Sequence, residues 1–332
     1  MPPGPPATVT EITRPTRGLG RYVPRLAAEW DLDAPGRQWQ SLDASLCFVD
    51  ISGFTNLAER LARRGRIGAE ELTEVLNRVF ATMLALAYER TGSLVKFGGD
   101  ALLLLFRGDD HAGQAASAAV EMRAALREAA TIPTSVGTVP LRMSVGIHSG
   151  EVQLFLAGRS HRELVIAGPA ATTTTIMEHA AGPGEIVVSA ATRALLGPGA
   201  ADRQSGLGWR LGWRQPRRTA PGPVTARPVP AEAVAECVPV GLRAYLGDSA
   251  VEPEHRAATV GFVRFSGIDR IVEEEGPDAA AAALHRLVTV VQSAVDEELV
   301  TFLATDIDDN GGKLILAAAS GPSSSTIRSM PE

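Results

Sequence analysis

With 332 residues, 45% of them hydrophobic and 21% charged, the chain has the size of about two soluble domains and enough apolar mass for a buried core. A net charge of −6 leaves no basic surplus to neutralise a phosphate backbone, which argues against a nucleic-acid partner but not against a single bound nucleotide. Two cysteines, Cys47 and Cys237, argue against a disulfide framework or zinc cluster and for a reduced, cytoplasmic setting, and no apolar run reaches the ~18 residues of a membrane span.

Residues 1–41 read as a mobile N-terminal arm. Its proline-rich start (Pro2, Pro3, Pro5, Pro6) lacks the apolar centre of a signal peptide, and one short helix is expected around Tyr22 to Trp30. A first domain is expected over 42–200. Leu46 to Val49 predicts a strand ending at the Ser52-Gly53 turn. From Ala69 to Arg90 the apolar residues Leu72, Val75, Leu76, Val79, Met83 and Leu86 recur at three- and four-residue intervals, one face of a helix packed on a sheet. Leu94 to Phe97, the Gly98-Gly99-Asp100 turn and Ala101 to Phe106 predict a β-hairpin. Ala112 to Ala130 predicts an alanine-rich helix, and Leu141 to Ile147 with Glu151 to Leu156 a second hairpin about His148-Ser149-Gly150. Glu163 to Ile166, a helix near Thr172 to Ala180, and Ile186 to Val188 complete this domain. Antiparallel hairpins between helices make it α+β, a ferredoxin-like βαββαβ core extended by further strands.

The stretch 201–255, rich in proline, glycine and arginine, reads as a linker with some ordered pieces; Trp209 and Trp213 are expected to pack on a neighbour. Over 256–320, Thr259 to Val263, a helix from Asp278 to about Glu297, and Lys313 to Ala317 repeat the opening of the first domain. Nothing in this copy corresponds to His111 through Leu196, so it is expected to be truncated, with an open sheet edge and uncovered apolar surface. Residues 321–332 read as a disordered tail.

One pattern occurs in both copies. Cys47-Phe48-Val49-Asp50-Ile51-Ser52-Gly53-Phe54-Thr55 matches Gly261-Phe262-Val263-Arg264-Phe265-Ser266-Gly267-Ile268-Asp269, with Arg264 where Asp50 stood. In neighbouring strands Asp50 and Asp100 would emerge at one sheet edge, where two carboxylates repel unless a cation lies between them. Hard cations such as Mg²⁺ take such oxygen donors together with substrate phosphates, and Ser52 to Thr55 offers backbone N–H groups to an anion. Taken singly, Asp50 is a helix cap and Asp100 a turn residue. The pair, with a glycine turn behind each, points to a metal-phosphate site.

Phe48-Val49-Asp50-Ile51-Ser52-Gly53-Phe54-Thr55, Lys96-Phe97-Gly98-Gly99-Asp100 and Val145-Gly146-Ile147-His148-Ser149-Gly150 together resemble the class III adenylate/guanylate cyclase catalytic domain, from about Ser45 to Leu196. The tandem arrangement is similar to the soluble, bicarbonate-responsive adenylyl cyclases and their bacterial relatives. The resemblance implies that Asp50 and Asp100, with the Ile51 carbonyl, hold two Mg²⁺ or Mn²⁺ ions. It implies that Ser52, Gly53, Phe54 and Thr55 cradle the β- and γ-phosphates of ATP, and that Lys96 reads the base. It further implies a partner cyclase domain, in cis or from another protomer, that completes the site, with bicarbonate as a further candidate ligand.

The chain departs from that pattern. Val165 falls at the base-reading aspartate, Thr172 at the ribose asparagine and Ile176 at the arginine that meets developing phosphate charge. In the second copy Thr301 aligns with Lys96, and Asp306, Asp308 and Asp309 read as a solvated acidic loop. His148 reads as a hairpin-tip residue, Arg63, Arg64 and Arg66 as a solvated loop, and Thr172 to Thr175 as the cap and start of a helix. The expected activity is conversion of ATP to cyclic AMP and pyrophosphate by two-metal catalysis. The alternative is a catalytically incomplete cyclase-fold module that binds nucleotide or bicarbonate and regulates a partner.

Overall fold

The computed structural model describes residues 18–128, 134–137, 141–212, 227–247, 258–298 and 300–319. A 3₁₀ turn (Leu19–Tyr22) and two short helices, α1 (Arg25–Ala28) and α2 (Trp30–Asp33), lead into β1 (Trp39–Ser52). Then follow α3 (Phe54–Ala62), α4 (Arg66–Glu89), the hairpin of β2 (Gly92–Phe97) and β3 (Ala101–Arg107), α5 (His111–Glu128) and β4 (Arg142–Ala157). These strands lie in the order β2-β3-β1-β4. This is the predicted βαββαβ core, and the fold is α+β.

Alternation along β1 divides the interior into two layers, because successive side chains of a strand point to opposite faces. Cys47, Val49 and Ile51 pack with α3, α4 and α5, whereas Ala44 and Leu46 pack on the opposite side. On that second side the expected arm is not free along its described part. Leu19, Val23, Leu26, Ala27 and Trp30 are buried there, and the Trp30 indole N–H donates to the Arg37 carbonyl at 2.8 Å. Burial of those apolar side chains outweighs the conformational freedom expected of an arm.

The second expected hairpin is absent. β4 runs unbroken through His148-Ser149-Gly150, paired antiparallel with β1 from Trp39↔Phe155 to Ser52↔Arg142. The 14-residue β1 supplies ladder partners along that whole length, so the glycine is accommodated within the strand instead of turning it. His148 is therefore mid-strand, its Nδ1 2.9 Å from Ser189 Oγ. Beyond β4 come β5 (Glu163–Ile166), α6 (Pro169–His179), β6 (Ile186–Val188) and α7 (Ala190–Leu196). α6 begins on Pro169. The hydroxyls of Thr173, Thr174 and Thr175 bond back to carbonyls four residues earlier, so the threonine run lies inside the helix rather than capping it.

Much of the expected linker is also structured. β7 (Arg203–Ser205) and β8 (Gly208–Arg210) extend the large sheet through β6, and Trp209 on β8 carries the Arg193 guanidinium 5.2 Å over its ring. α8 (Ala231–Glu236) and α9 (Val240–Gly247) pack against the layer that holds the arm. Trp213, residues 248–255 and the expected tail lie outside the described residues.

The repeated motif follows as β9 (Ala258–Ser266), α10 (Ile268–Glu274), α11 (Pro277–Asp296), β10 (Thr301–Asp308) and β11 (Gly311–Ala319). Its sheet order, β10-β11-β9, reproduces β2-β3-β1. Gly53 (φ 92°) and Gly267 (φ 91°) open α3 and α10 with the same left-handed backbone, a conformation that suits glycine. Among the described residues β9 pairs only with β11, whereas β1 pairs with both β3 and β4, and Phe262 on β9 is 64% exposed. Of the expected acidic loop, Asp309 lies in the turn, but Asp306 and Asp308 belong to the end of β10. Asp306 is buried 3.0 Å from Lys313 Nζ, and Asp308 meets Arg264 Nε at 2.9 Å, because cross-strand cations fix these acids in the ladder. Among the described residues no helix is long and apolar enough to cross a membrane.

Candidate active site

Asp50 lies near the end of β1, opposite Ala101 on β3 and Ser144 on β4. Asp100 is the residue before Ala101, and its carbonyl accepts the Ile51 N–H at 3.2 Å. Two adjacent antiparallel strands thus bring both aspartates and the Ile51 backbone to one sheet edge. The electrostatics agree with that proximity: burial raises the Asp50 carboxyl above its ordinary value, the Asp100 charge raises it further, and His179 lowers it. A hard oxygen donor whose ionisation a second carboxylate nearby disfavours suits a divalent cation.

Behind Asp50 the chain turns through Gly53 into α3. No side chain caps that helix, so its first-turn N–H groups face the turn without a side-chain acceptor. Ser52 Oγ lies 3.3 Å from Ser144 Oγ, Phe54 packs on the core, and Thr55 is exposed.

Two nearby residues escaped the sequence reading. Glu178, at the end of α6, is buried and pushed up to about 7, first by burial and then by the Asp50 charge. His179 Nε2 lies 3.8 Å from Glu178 Oε2, and its Nδ1 4.0 Å from Asp309 Oδ1 at the turn of the repeated hairpin. The signal for Glu178 was Gly146. A Cβ there would lie 2.2 Å from the Glu178 nitrogen and 2.5 Å from the Thr174 carbonyl, so the bare glycine lets α6 close on β4. Among the described residues no group of three or more His, Cys, Asp or Glu side chains is placed to hold a metal ion.

Lys96 takes a different position. It is buried at the end of β2, and its Nζ donates to Glu163 Oε1 on β5. The same oxygen accepts the Thr305 N–H at 2.7 Å and hydroxyl at 2.8 Å, tying β2, β5 and β10 together. Val165 is buried, and Thr172 Oγ1 accepts the Asn310 N–H at 2.9 Å. The α6 face that carries the departures from the cyclase pattern thus abuts the repeated motif.

Register corrects one expected correspondence. Pairing Arg264 with Lys313, as Asp50 pairs with Ala101, places Ala304 rather than Thr301 at the position of Lys96. Both hairpins carry an irregularity there, between Leu94 and Lys96 and between Phe302 and Ala304. Counting from Thr301-Phe302 by sequence alone missed the residues that separate the two registers. The repeated edge holds Arg264 and Lys313, each paired to an aspartate, where the first holds two carboxylates.

A family model described as the adenylate and guanylate cyclase catalytic domain matches residues 38–206. Adenylate cyclase type 10 of Oryctolagus cuniculus is 23% identical over 175 residues, 52% of this chain and 11% of that protein. The Homo sapiens protein of the same name is 26% identical over 152 residues, 44% of this chain and 9% of that one. A membrane guanylyl cyclase of Dictyostelium discoideum is 29% identical over 141 residues, 41% of this chain and 9% of that protein. The chain thus spans about a tenth of the length of the curated relatives it matches. Among solved structures, the adenylyl cyclase CyaB from P. aeruginosa aligns with a TM-score of 0.45 at 24% identity, over 56% of this chain and 100% of its own. The guanylyl cyclase Cya2 aligns with a TM-score of 0.44 at 26% identity, over 52% and 92%.

Proposed function

The chain belongs to the adenylate and guanylate cyclase catalytic domain family, and from that premise we propose that it is the metal-bearing part of a cytoplasmic nucleotide cyclase converting ATP to cyclic AMP and pyrophosphate. The observation that carries this reading is the juxtaposition of Asp50 and Asp100 at one sheet edge, beside the uncapped turn into α3. Asp50, Asp100 and the Ile51 carbonyl would hold Mg²⁺ or Mn²⁺, two ions by family resemblance. Bound there, the cations supply Lewis acidity that lowers the pKa of the ribose 3′-hydroxyl and neutralises charge on the α-phosphate. The N–H groups of the Ser52–Thr55 turn bind and orient the β- and γ-phosphates. In the reaction the 3′-hydroxyl loses its proton to solvent water, its oxygen forms a bond to the α-phosphorus, the bond from that phosphorus to the bridging oxygen breaks, and pyrophosphate leaves with the electron pair.

Residues 42–200 form the metal-bearing half in this proposal, and 256–320 a partner-like half. Arg264 at the position of Asp50 and Gly312 at that of Asp100 support that division of labour. Two observations favour a second reading, a nucleotide- or bicarbonate-binding regulatory module: Lys96 is committed to Glu163, and Ile176 stands where the family's arginine would meet developing charge. Loss of such a group costs roughly 3 kcal/mol in the transition state.

Turnover separates the readings. Purified chain supplied with Mn²⁺-ATP, and separately Mn²⁺-GTP, is expected to form more cyclic nucleotide than Asp50→Ala or Asp100→Ala, with ATP preferred. Product at the level of those variants, with nucleotide binding intact, would support the regulatory module instead.

A further inference from the structure

A cavity of about 710 Å³ shares no lining residue with the Asp50–Asp100 cluster. Its volume lies within the range usual for small-molecule sites, roughly 300–1,000 Å³. All of β2 from Gly92 to Phe97 lines it, together with residues 20–25, Val238, Pro239, Leu242 and Leu246 of the 237–246 stretch, and Leu303 and Ala304 of β10. A six-residue strand extends roughly 20 Å, so the hollow is elongated. Four large side chains left partly in water gather around it: Tyr22 (50% exposed), Tyr88 (51%), Phe97 (47%) and Leu303 (43%). Exposed apolar groups clustered on one concavity mark a binding surface.

Charge narrows the occupant. Among the described residues the lining holds three cations, Arg21, Arg25 and Lys96, against one carboxylate, Glu163. Lys96 is neutralised by Glu163, and Arg25 by Glu29 at 2.6 Å. Arg21 donates its Nε–H to the Gly18 carbonyl and lies 5.7 Å over the Tyr22 ring, and among the described residues no carboxylate pairs with it. The described lining thus carries one exposed cation, Arg21, without a carboxylate partner, beside largely apolar walls.

We infer that this cavity binds an elongated apolar molecule bearing one carboxylate, its body along β2 and its head at Arg21. Such a ligand would touch the first motif, α9 and β10 at once, bridging the two repeats.

Calorimetric titration of the purified chain with dodecanoate tests this, with dodecanol and dodecyltrimethylammonium as probes of the same body. Saturable dodecanoate binding is expected, stronger than for either control. Arg21→Glu, an exposed substitution, should weaken dodecanoate roughly tenfold or more and leave dodecanol unchanged. Ala304→Phe, with its fold verified by circular dichroism, should abolish binding of both. Absence of saturable dodecanoate binding, or equal binding of all three probes with no effect of Arg21→Glu, overturns the inference. Neither metal nor nucleotide enters the experiment, so its result is independent of the cyclase reading.

Discussion

Asp50 is a half-buried carboxylate made unusual by its neighbours. Burial and the Asp100 charge raise it, and burial and the Asp50 charge raise Glu178 in turn. Asp50 and Asp100 were legible in the sequence because each precedes a glycine-bearing turn or strand boundary. Glu178 was not, since its proximity depends on how closely α6 approaches β4. A second titrating residue provides a check away from the site. Burial lowers His148 below its ordinary value. A histidine with a depressed folded pKa binds fewer protons than the unfolded chain does, so stability is full above the unfolded value near 6.5 and is lost as pH falls below it. Denaturant melts at pH 7.5 and 5.5 should show that loss, and His148→Gln should shrink it; an unchanged difference would contradict the burial argument.

At the scale of elements, the closest approach is α6 on β4 over Gly146. Gly146→Ala drives a methyl group into the α6 backbone and should cost about 1–3 kcal/mol, measurable as a lower urea midpoint, while displacing Glu178 from Asp50. The junction of β2, β5 and β10 rests on Glu163. Glu163→Ala would strand the buried Lys96 ammonium and the Thr305 donors, an expected loss of about 3 kcal/mol or more. Restoring stability with Lys96→Met in the same chain would show that the stranded charge was the cause. These elements also mark the limits of sequence reading. The β2–β3 hairpin was legible from Gly98-Gly99 and the apolar runs on either side. The continuity of β4 through His148-Ser149-Gly150 was not, because local turn chemistry carries no information about the 14-residue partner strand that overrides it. The arm and linker were misread for the same reason: Leu19, Trp30 and Val238 gain their burial from contacts remote in sequence.

Across the whole molecule, the duplication seen as Phe-Val-x-x-Ser-Gly extends to backbone angles, sheet order and the position of a strand irregularity. The two copies differ in charge at equivalent edges, acid in one and paired cation in the other. On the proposed reading, that difference leaves metal and triphosphate to the first copy alone. The most direct test is calorimetric binding of ATP in the presence of Mn²⁺. The account predicts saturable binding that disappears with EDTA and weakens roughly a hundredfold in Asp50→Ala and in Asp100→Ala, a loss of about 3 kcal/mol. Binding of equal strength in the wild type and both variants, or binding indifferent to Mn²⁺, would contradict it.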